Sequence, residues 1–251
     1  TVDLAGDRLR TSRITLDALG MRCTGAVRGT RLAGLPDLTG HLKGKVKDPA
    51  RVAALLRGAA APEALRRAAE RSYLKTRFRF SGAAGVGALE DLQGSVAGVH
   101  LTGELEGERP WAAPGLTGSL ALRVDRGRKL AGLLFPDPPE GFRPNGLEGG
   151  RLAVELAYVG KAGTLHLSNL NGELGGLGLS GQAVARHFGK DRPSFSGRLE
   201  TAAFSPRAVA RRLGLRLPRA LDPRALKQGS LAFAFSGEPG RIRFTDLRAT
   251  L

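Results

Sequence analysis

Apolar and polar residues alternate along much of this chain with the two-residue period of a half-wetted β-strand. Leu152, Val154, Leu156 and Tyr158 fall on one face, with Arg151 and Glu155 on the other. Phe78 and Phe80 alternate with Arg77 and Arg79, and Leu231, Phe233 and Phe235 with Ala232 and Ala234. Leu42 and Val46 alternate with His41, Lys43, Lys45 and Lys47, while Ile242 and Phe244 oppose Arg241 and Arg243. Strands of this kind belong to antiparallel sheets that are dry on one side and wet on the other. Glycine-rich breaks follow them at Ser81-Gly82, Gly160-Lys161-Ala162-Gly163 and Ser236-Gly237-Glu238-Pro239-Gly240. Short connections of that type make hairpins and meanders. No helical pattern follows each strand, which disfavours a parallel α/β fold.

The pattern recurs about every 78 residues. Thr39-Gly40, Thr117-Gly118 and Ser196-Gly197 each precede an apolar strand, their glycines 78 and 79 apart. Strands ending at Gly82, Gly160 and Gly237 step by 78 and 77, as do Leu92, Leu170 and Leu247; Gly25, Gly103 and Gly181 step by 78 twice. Such a fixed period marks stacked architectures in which each unit buries its face against its neighbours. The implied division is a partial repeat at 1–29, full repeats at 30–107 and 108–185, and a truncated one at 186–251. In the middle copy the strands are predicted at 116–124, 151–159, 164–170 and 177–184, and an insert separates the first strand of each period from the second.

The inserts carry helix signals. In the first, 48–72, Asp48 is an N-cap with Pro49 at the first helical position; Val52, Leu55, Leu56 and Ala59 form one stripe and Leu65, Ala68 and Ala69 another. In the third, Ser205-Pro206 opens a helix that runs to Leu213 and is ended by Gly214, and Asp222-Pro223 starts a second. The middle insert, 125–150, holds Pro136, Pro138, Pro139 and Pro144, which leaves only 129–135 for a helix. These helices are expected to cover part of the apolar face or to cap its edge. The predicted fold class is mostly β: an elongated antiparallel sheet, curled into a groove, built from ~78-residue repeats with short helical inserts.

Composition adds direction. The 251 residues include 36 glycines, about twice the usual share, which suits many strands and tight turns. The formal charge of +16 calls for an anionic partner, and nucleic acid and an anionic membrane surface fit its sign equally well. Arginine spread through all three repeats reads equally as a coding bias. Cys23 is the only cysteine, which excludes an internal disulfide framework and a cysteine zinc cluster. No stretch reaches the ~20 apolar residues of a membrane span. The chain opens and closes inside strand-like segments and lacks an initiator Met, so it reads as a piece of a longer protein.

No catalytic, cofactor or metal site is predicted. His41, His100, His166 and His187 lie far apart without metal-ligand spacing, and His100 and His166 fall on polar strand faces. The glycines of 172–178 do not match a phosphate-binding loop and read as a turn between strands. Glu104, Glu106 and Glu108 line the wet face of one strand. No G-x-S-x-G nucleophile context occurs. Phe78 and Phe80 lie on the opposite face from Arg77 and Arg79, so ring and guanidinium cannot jointly hold a nucleotide. Trp111, in a proline-flanked loop, reads as a buried side chain or an edge anchor.

The third insert carries a resemblance to a known family. Phe204-Ser205-Pro206-Arg207, Leu213-Gly214, Leu217-Pro218, Asp222-Pro223 and Leu226, then the strand at 230–237 and the closing Phe244-Thr245-Asp246-Leu247, resemble the AsmA-like family. The match is detailed over 196–251, and the first insert looks like a looser copy. The middle copy lacks the Asp-Pro helix entry. The resemblance implies a periplasmic protein of diderm bacteria, anchored in the inner membrane by a helix outside this fragment. It also implies a curled β-sheet related to bridge-like lipid-transfer proteins, acting in outer-membrane biogenesis without catalytic residues or cofactor. The partners it implies are phospholipid acyl chains, the membrane through that anchor, and envelope proteins.

The alternation leads to a compatible expectation by itself. A single sheet with one apolar face needs cover, and three short inserts are too few for some twelve strands. The candidate wall of a lipid groove is Phe78, Phe80, Leu120, Leu122, Leu152, Val154, Leu156, Leu231, Phe233 and Phe235, with the Lys/Arg-rich rim attracting lipid phosphates. A self-filled sandwich would use the same residues as core. The rival function is a structural scaffold for outer-membrane assembly that carries no lipid, with a basic nucleic-acid-binding module further behind.

Overall fold

The computed structural model describes residues 2–18, 20–48, 72–96, 98–108, 115–134, 141–187, 193–215, 227–238 and 241–250. The helical stripes of the first insert, Trp111 and the Asp222-Pro223 helix entry lie outside them. The first strands are β1 (Val2–Ala5), β2 (Arg8–Ala18), β3 (Met21–Thr30) and β4 (Asp37–Val46). Next come β5 (Tyr73–Ser81), β6 (Val86–Val96), β7 (Val99–Glu108) and β8 (Gly115–Val124). Helix α1 (Gly127–Leu134) and a 3-10 turn (Pro144–Leu147) lead to β9 (Arg151–Val159), β10 (Thr164–Leu174), β11 (Leu177–Arg186) and β12 (Ser194–Thr201). Helix α2 (Pro206–Leu213) precedes β13 (Ser230–Glu238) and β14 (Arg241–Thr250).

These fourteen strands form a single antiparallel sheet in which each strand pairs with its neighbours in sequence, and β1 and β14 remain as open edges. The meander follows from the short connections, which cannot carry a chain across the sheet. Residues Gly175 and Gly176, at φ 64° and 86°, make the two-residue turn between β10 and β11. Two successive positive φ values match the right-handed twist of the flanking strands, and glycine adopts them without strain. The predicted strand at 151–159 coincides with β9. Those at 116–124, 164–170 and 177–184 fall within the longer β8, β10 and β11, because pairing runs on past the alternating segments, through Gly115, through 171–174 and through Ala185 and Arg186.

Pairing slips at four places. The register shifts between Thr11 and Ile14 on β2, Leu89 and Leu92 on β6, and Ser168 and Asn171 on β10; on the last pair it shifts between Ala232 and Ala234, facing Arg248 and Thr245 of β14. Asp91, Asn169 and Asp246 sit in the last three shifts at φ 50°, 51° and 52°. Asp and Asn tolerate this left-handed region better than other side chains, and a bulge there sharpens the local twist.

The inserts pack at the strand ends. Val124, Ala131 and Leu147 are buried against Val99, Leu130, Phe142, Leu174 and Leu213, where β7 begins and β8 and β10 end. The second and third inserts are tied together there. The Arg143 amide donates to the Leu213 carbonyl at 2.6 Å, and Arg212 Nε donates to the Gly146 carbonyl at 3.0 Å. Val99, Val124 and Leu174 belong to the apolar face, so the described inserts cover part of that face where they close one rim. Helix α1 begins at Gly127, two residues before the proline-limited window suggested.

Helix α2 follows its sequence signals closely. The Ser205 hydroxyl accepts from the Ala208 amide at 3.3 Å, Pro206 occupies the first turn, and Gly214 closes the helix at φ 70°. Ser205→Ala is expected to cost about 1 kcal/mol and lower the melting temperature by roughly 2–4 °C, read by circular dichroism. An unchanged melt would show that packing alone holds the helix.

Candidate functional site

Residues paired directly across adjacent strands point to the same face of a sheet, so the register decides which side chains meet. One lateral row starts at Thr11 and passes through Val27, Gly40, Phe78, Leu89 and Leu105. It continues through Gly118, Leu156, Leu167 and Ala183, and ends at Gly197, Phe235 and Phe244. After Thr11, every member from β3 to β14 is apolar or glycine. The remaining candidate wall residues join the same face. Phe80 lies between Leu38 and Gly87, Leu120 between Gly103 and Val154, and Leu122 between Leu101 and Leu152. Phe233 and Leu231 lie opposite Leu199 and Ala249. The register therefore brings all ten candidates onto one surface.

That surface is only partly dry. Phe80 and Val154 are buried, the other eight are half-buried, and no large side chain among the described residues is fully buried. The Phe233 ring stands 6.4 Å from Phe235 and 5.5 Å, edge-on, from Phe244. Toward the open edge the same face ends in Ile242, Phe244 and Leu247, which are 56%, 61% and 66% exposed.

Three strand pairs carry a glycine on each strand of this face: Gly25 and Gly40, Gly103 and Gly118, Gly181 and Gly197. A Cβ at Gly25, Gly103 or Gly181 would land inside the carbonyl oxygen of His41, Ser119 or Arg198, respectively. Aromatic rings fill the space above two partner glycines. A Cβ at Gly40 would stand 2.7 Å from Phe78 Cε1, and one at Gly197 2.6 Å from Phe235 Cζ. At these pairs the backbones approach more closely than any side chain permits.

The opposite face is polar, and its charge is segregated. Strands β2–β5 carry ten lysines and arginines against two carboxylates, Asp17 and Asp37. Strands β6 and β7 carry no lysine or arginine and five carboxylates: Glu90, Asp91, Glu104, Glu106 and Glu108. Among the described strands the basic charge is thus concentrated in the first third of the sheet, on its wet face. A depression of about 440 Å³ lies there, lined in part by Arg10, Ala26, Arg28, Thr39, His41, Arg77, Arg79 and Glu90. Two further depressions on this face, of about 640 and 580 Å³, hold fewer arginines: Arg123 and Arg151 in the first, Arg198 beside Glu200 in the second. Finding the basic one from sequence requires knowing that Arg10 lies opposite Arg28 and Thr39 opposite Arg79.

Exposed pairs decorate the polar face. Asp17 accepts from Arg22 at 2.8 and 2.7 Å, and this bonding, more than their Coulomb attraction, holds the Asp17 carboxyl below the usual carboxylate range. His100 Nε2 stands 2.8 Å from Asp125, which also accepts from Arg123 Nε at 2.8 Å. Among the described residues no group of His, Cys, Asp or Glu has the arrangement of a metal site, and no helix is long and apolar enough to cross a membrane. No family model, curated protein or solved structure matches the chain.

Proposed function

We propose that this chain is a β-groove segment of an AsmA-like envelope protein that holds or conducts phospholipid between membranes during outer-membrane biogenesis. The observation that carries the reading is the continuous apolar face. It crosses the sheet from β3 to β14, and among the described residues the inserts pack on it at one end, over Val99, Val124 and Leu174. A one-layer sheet with a dry face is stable only when that face is covered. Thirteen strand spacings of ~4.8 Å make a surface about 60 Å long, enough for acyl chains to lie along it.

Two observations support a repeated, curled architecture. The bulges fall on every fourth strand, with Asp91, Asn169 and Asp246 spaced 78 and 77 apart. The glycine pairs also recur every fourth strand, and all lie on the apolar side, which is the side left free to become concave. On this reading the chain works in the periplasm, an anchor in the inner membrane lies outside the segment, and envelope proteins are its other partners.

Native mass spectrometry of the gently purified chain, with lipid extraction of the same sample, tests the reading. Bound phospholipid in near-fixed stoichiometry is the expected result. A stable fold free of lipid would overturn it in favour of a closed scaffold.

A further inference from the structure

The polar face offers a second site, independent of the acyl-chain reading because it lies on the other side of the sheet. Arg10 of β2 is paired directly with Arg28 of β3. Like charges in that relation destabilise a sheet, and among the described residues neither arginine has an ion pair. Arg28 is paired in turn with Thr39, and Thr39 with Arg79. The short side chains of Thr39 and Ala26 line the same depression as the arginines. On the far wall Arg77 is tied to Asp91, and Arg79 approaches Glu90 at 3.5 Å. On the near side Arg10 and Arg28 oppose each other without a counter-charge among the described residues.

The geometry points to a binding site for a phosphate ester, seated over the Thr39 hydroxyl between Arg28 and Arg79 and reached by Arg10. Adjacent strands are ~4.8 Å apart, so a tetrahedral oxyanion above Thr39 lies within reach of the guanidiniums on both sides. The planar fork of arginine matches phosphate oxygens two at a time, and the hydroxyl supplies a further donor. A nucleic-acid strand would ask for stacking rings beside the cations. Phe78 borders the depression, but by register the side chains of Phe78 and Phe80 belong to the apolar face. The depression of about 440 Å³ is sized for a headgroup or small organic phosphate.

Thermal shift and titration calorimetry at constant ionic strength test the site, with inorganic pyrophosphate, vesicles of phosphatidylglycerol in phosphatidylcholine, and a mixed-sequence single-stranded DNA as probes. Pyrophosphate is expected to raise the melting temperature, and Arg28→Thr to weaken its binding at least about tenfold. Arg10→Thr/Arg28→Thr should weaken it further. Without ligand both variants should melt at or above the parent chain, because an opposed charge pair is gone and threonine is a good strand former. Saturable pyrophosphate binding marks a soluble phosphate ester; vesicle binding displaced by pyrophosphate marks a lipid headgroup, and either supports the site. A response no greater than that to chloride, equal responses in the variants, or DNA binding indifferent to Arg28→Thr would overturn it. Phe233→Arg should leave pyrophosphate binding intact, which separates failure here from failure of the acyl-chain reading.

Discussion

Replacing Gly103 by valine is expected to abolish the cooperative fold or lower its stability by about 3 kcal/mol or more. The added Cβ would meet the Ser119 carbonyl oxygen and lie 3.1 Å from Leu120 Cα, which are backbone atoms that cannot swing aside. The branched methyls would crowd Leu120 Cδ2, already 2.8 Å from the Cβ position. Relief requires β7 and β8 to separate, which breaks their ladder. Gly115→Ala at the end of β8 is the control, since nothing lies within 4 Å of its Cβ position; it should change stability by no more than about 0.5 kcal/mol. Gly25→Val and Gly181→Val should behave like Gly103→Val, because each meets the equivalent carbonyl. Denaturant unfolding followed by circular dichroism reads all four. A Gly103→Val chain that melts with the parent would rule out the close approach, and with it the proposed bend toward the apolar side. Unequal effects among the three valines would count against equivalent repeats.

The strand pattern of this chain was legible because a half-wetted sheet imposes a strict alternation, and the alternation of 151–159 survives unchanged in β9. Helix α2 was legible because Ser205, Pro206 and Gly214 each satisfy a local backbone requirement. The bulges left a weaker trace. Leu89 and Leu92, Leu167 and Leu170, and Phe244 and Leu247 are three residues apart where a regular strand would space them by two, with Asp or Asn just before the second. The periodic leucines at 92, 170 and 247 are therefore the residues that restore the apolar face after each slip. The spacing alone does not separate a bulge from a turn, and the pairing partners are needed to decide.

The placement of charge was the least legible feature, for a reason that also follows from register. Composition counts arginines but does not say which face they occupy or what lies opposite them. Arg10 and Arg28 are eighteen positions apart, yet they are direct neighbours once β2 and β3 pair. Conversely, Arg77 and Phe78 are adjacent in sequence and on opposite faces. Alternation thus separates the two candidate sites on the two sides of one sheet, and each can be altered without touching the other.

Phe233→Arg is expected to remove bound phospholipid while the sheet stays folded. Phe233 is half-buried near the open edge, in ring contact with Phe235 and Phe244 and paired with Leu199, and among the described residues no second layer seals it. An arginine there can lay its aliphatic stem along the face and turn its guanidinium to water, so the fold loses ring packing without burying a charge. With acyl chains on the face that escape is closed, and desolvating the guanidinium costs several kcal/mol. Lipid retention should fall at least about tenfold, roughly 1.4 kcal/mol, while circular dichroism keeps its strand signature. Phe233→Leu, which keeps the surface apolar, should retain lipid. Leu120→Arg places the same charge at the centre of the face and should act in the same way. If both arginine variants unfold, the face is a sealed core and the chain a scaffold, because only a closed interior leaves an introduced charge no route to water. If both fold and keep their lipid, the acyl chains lie elsewhere and the apolar row from Val27 to Phe244 has lost its proposed occupant.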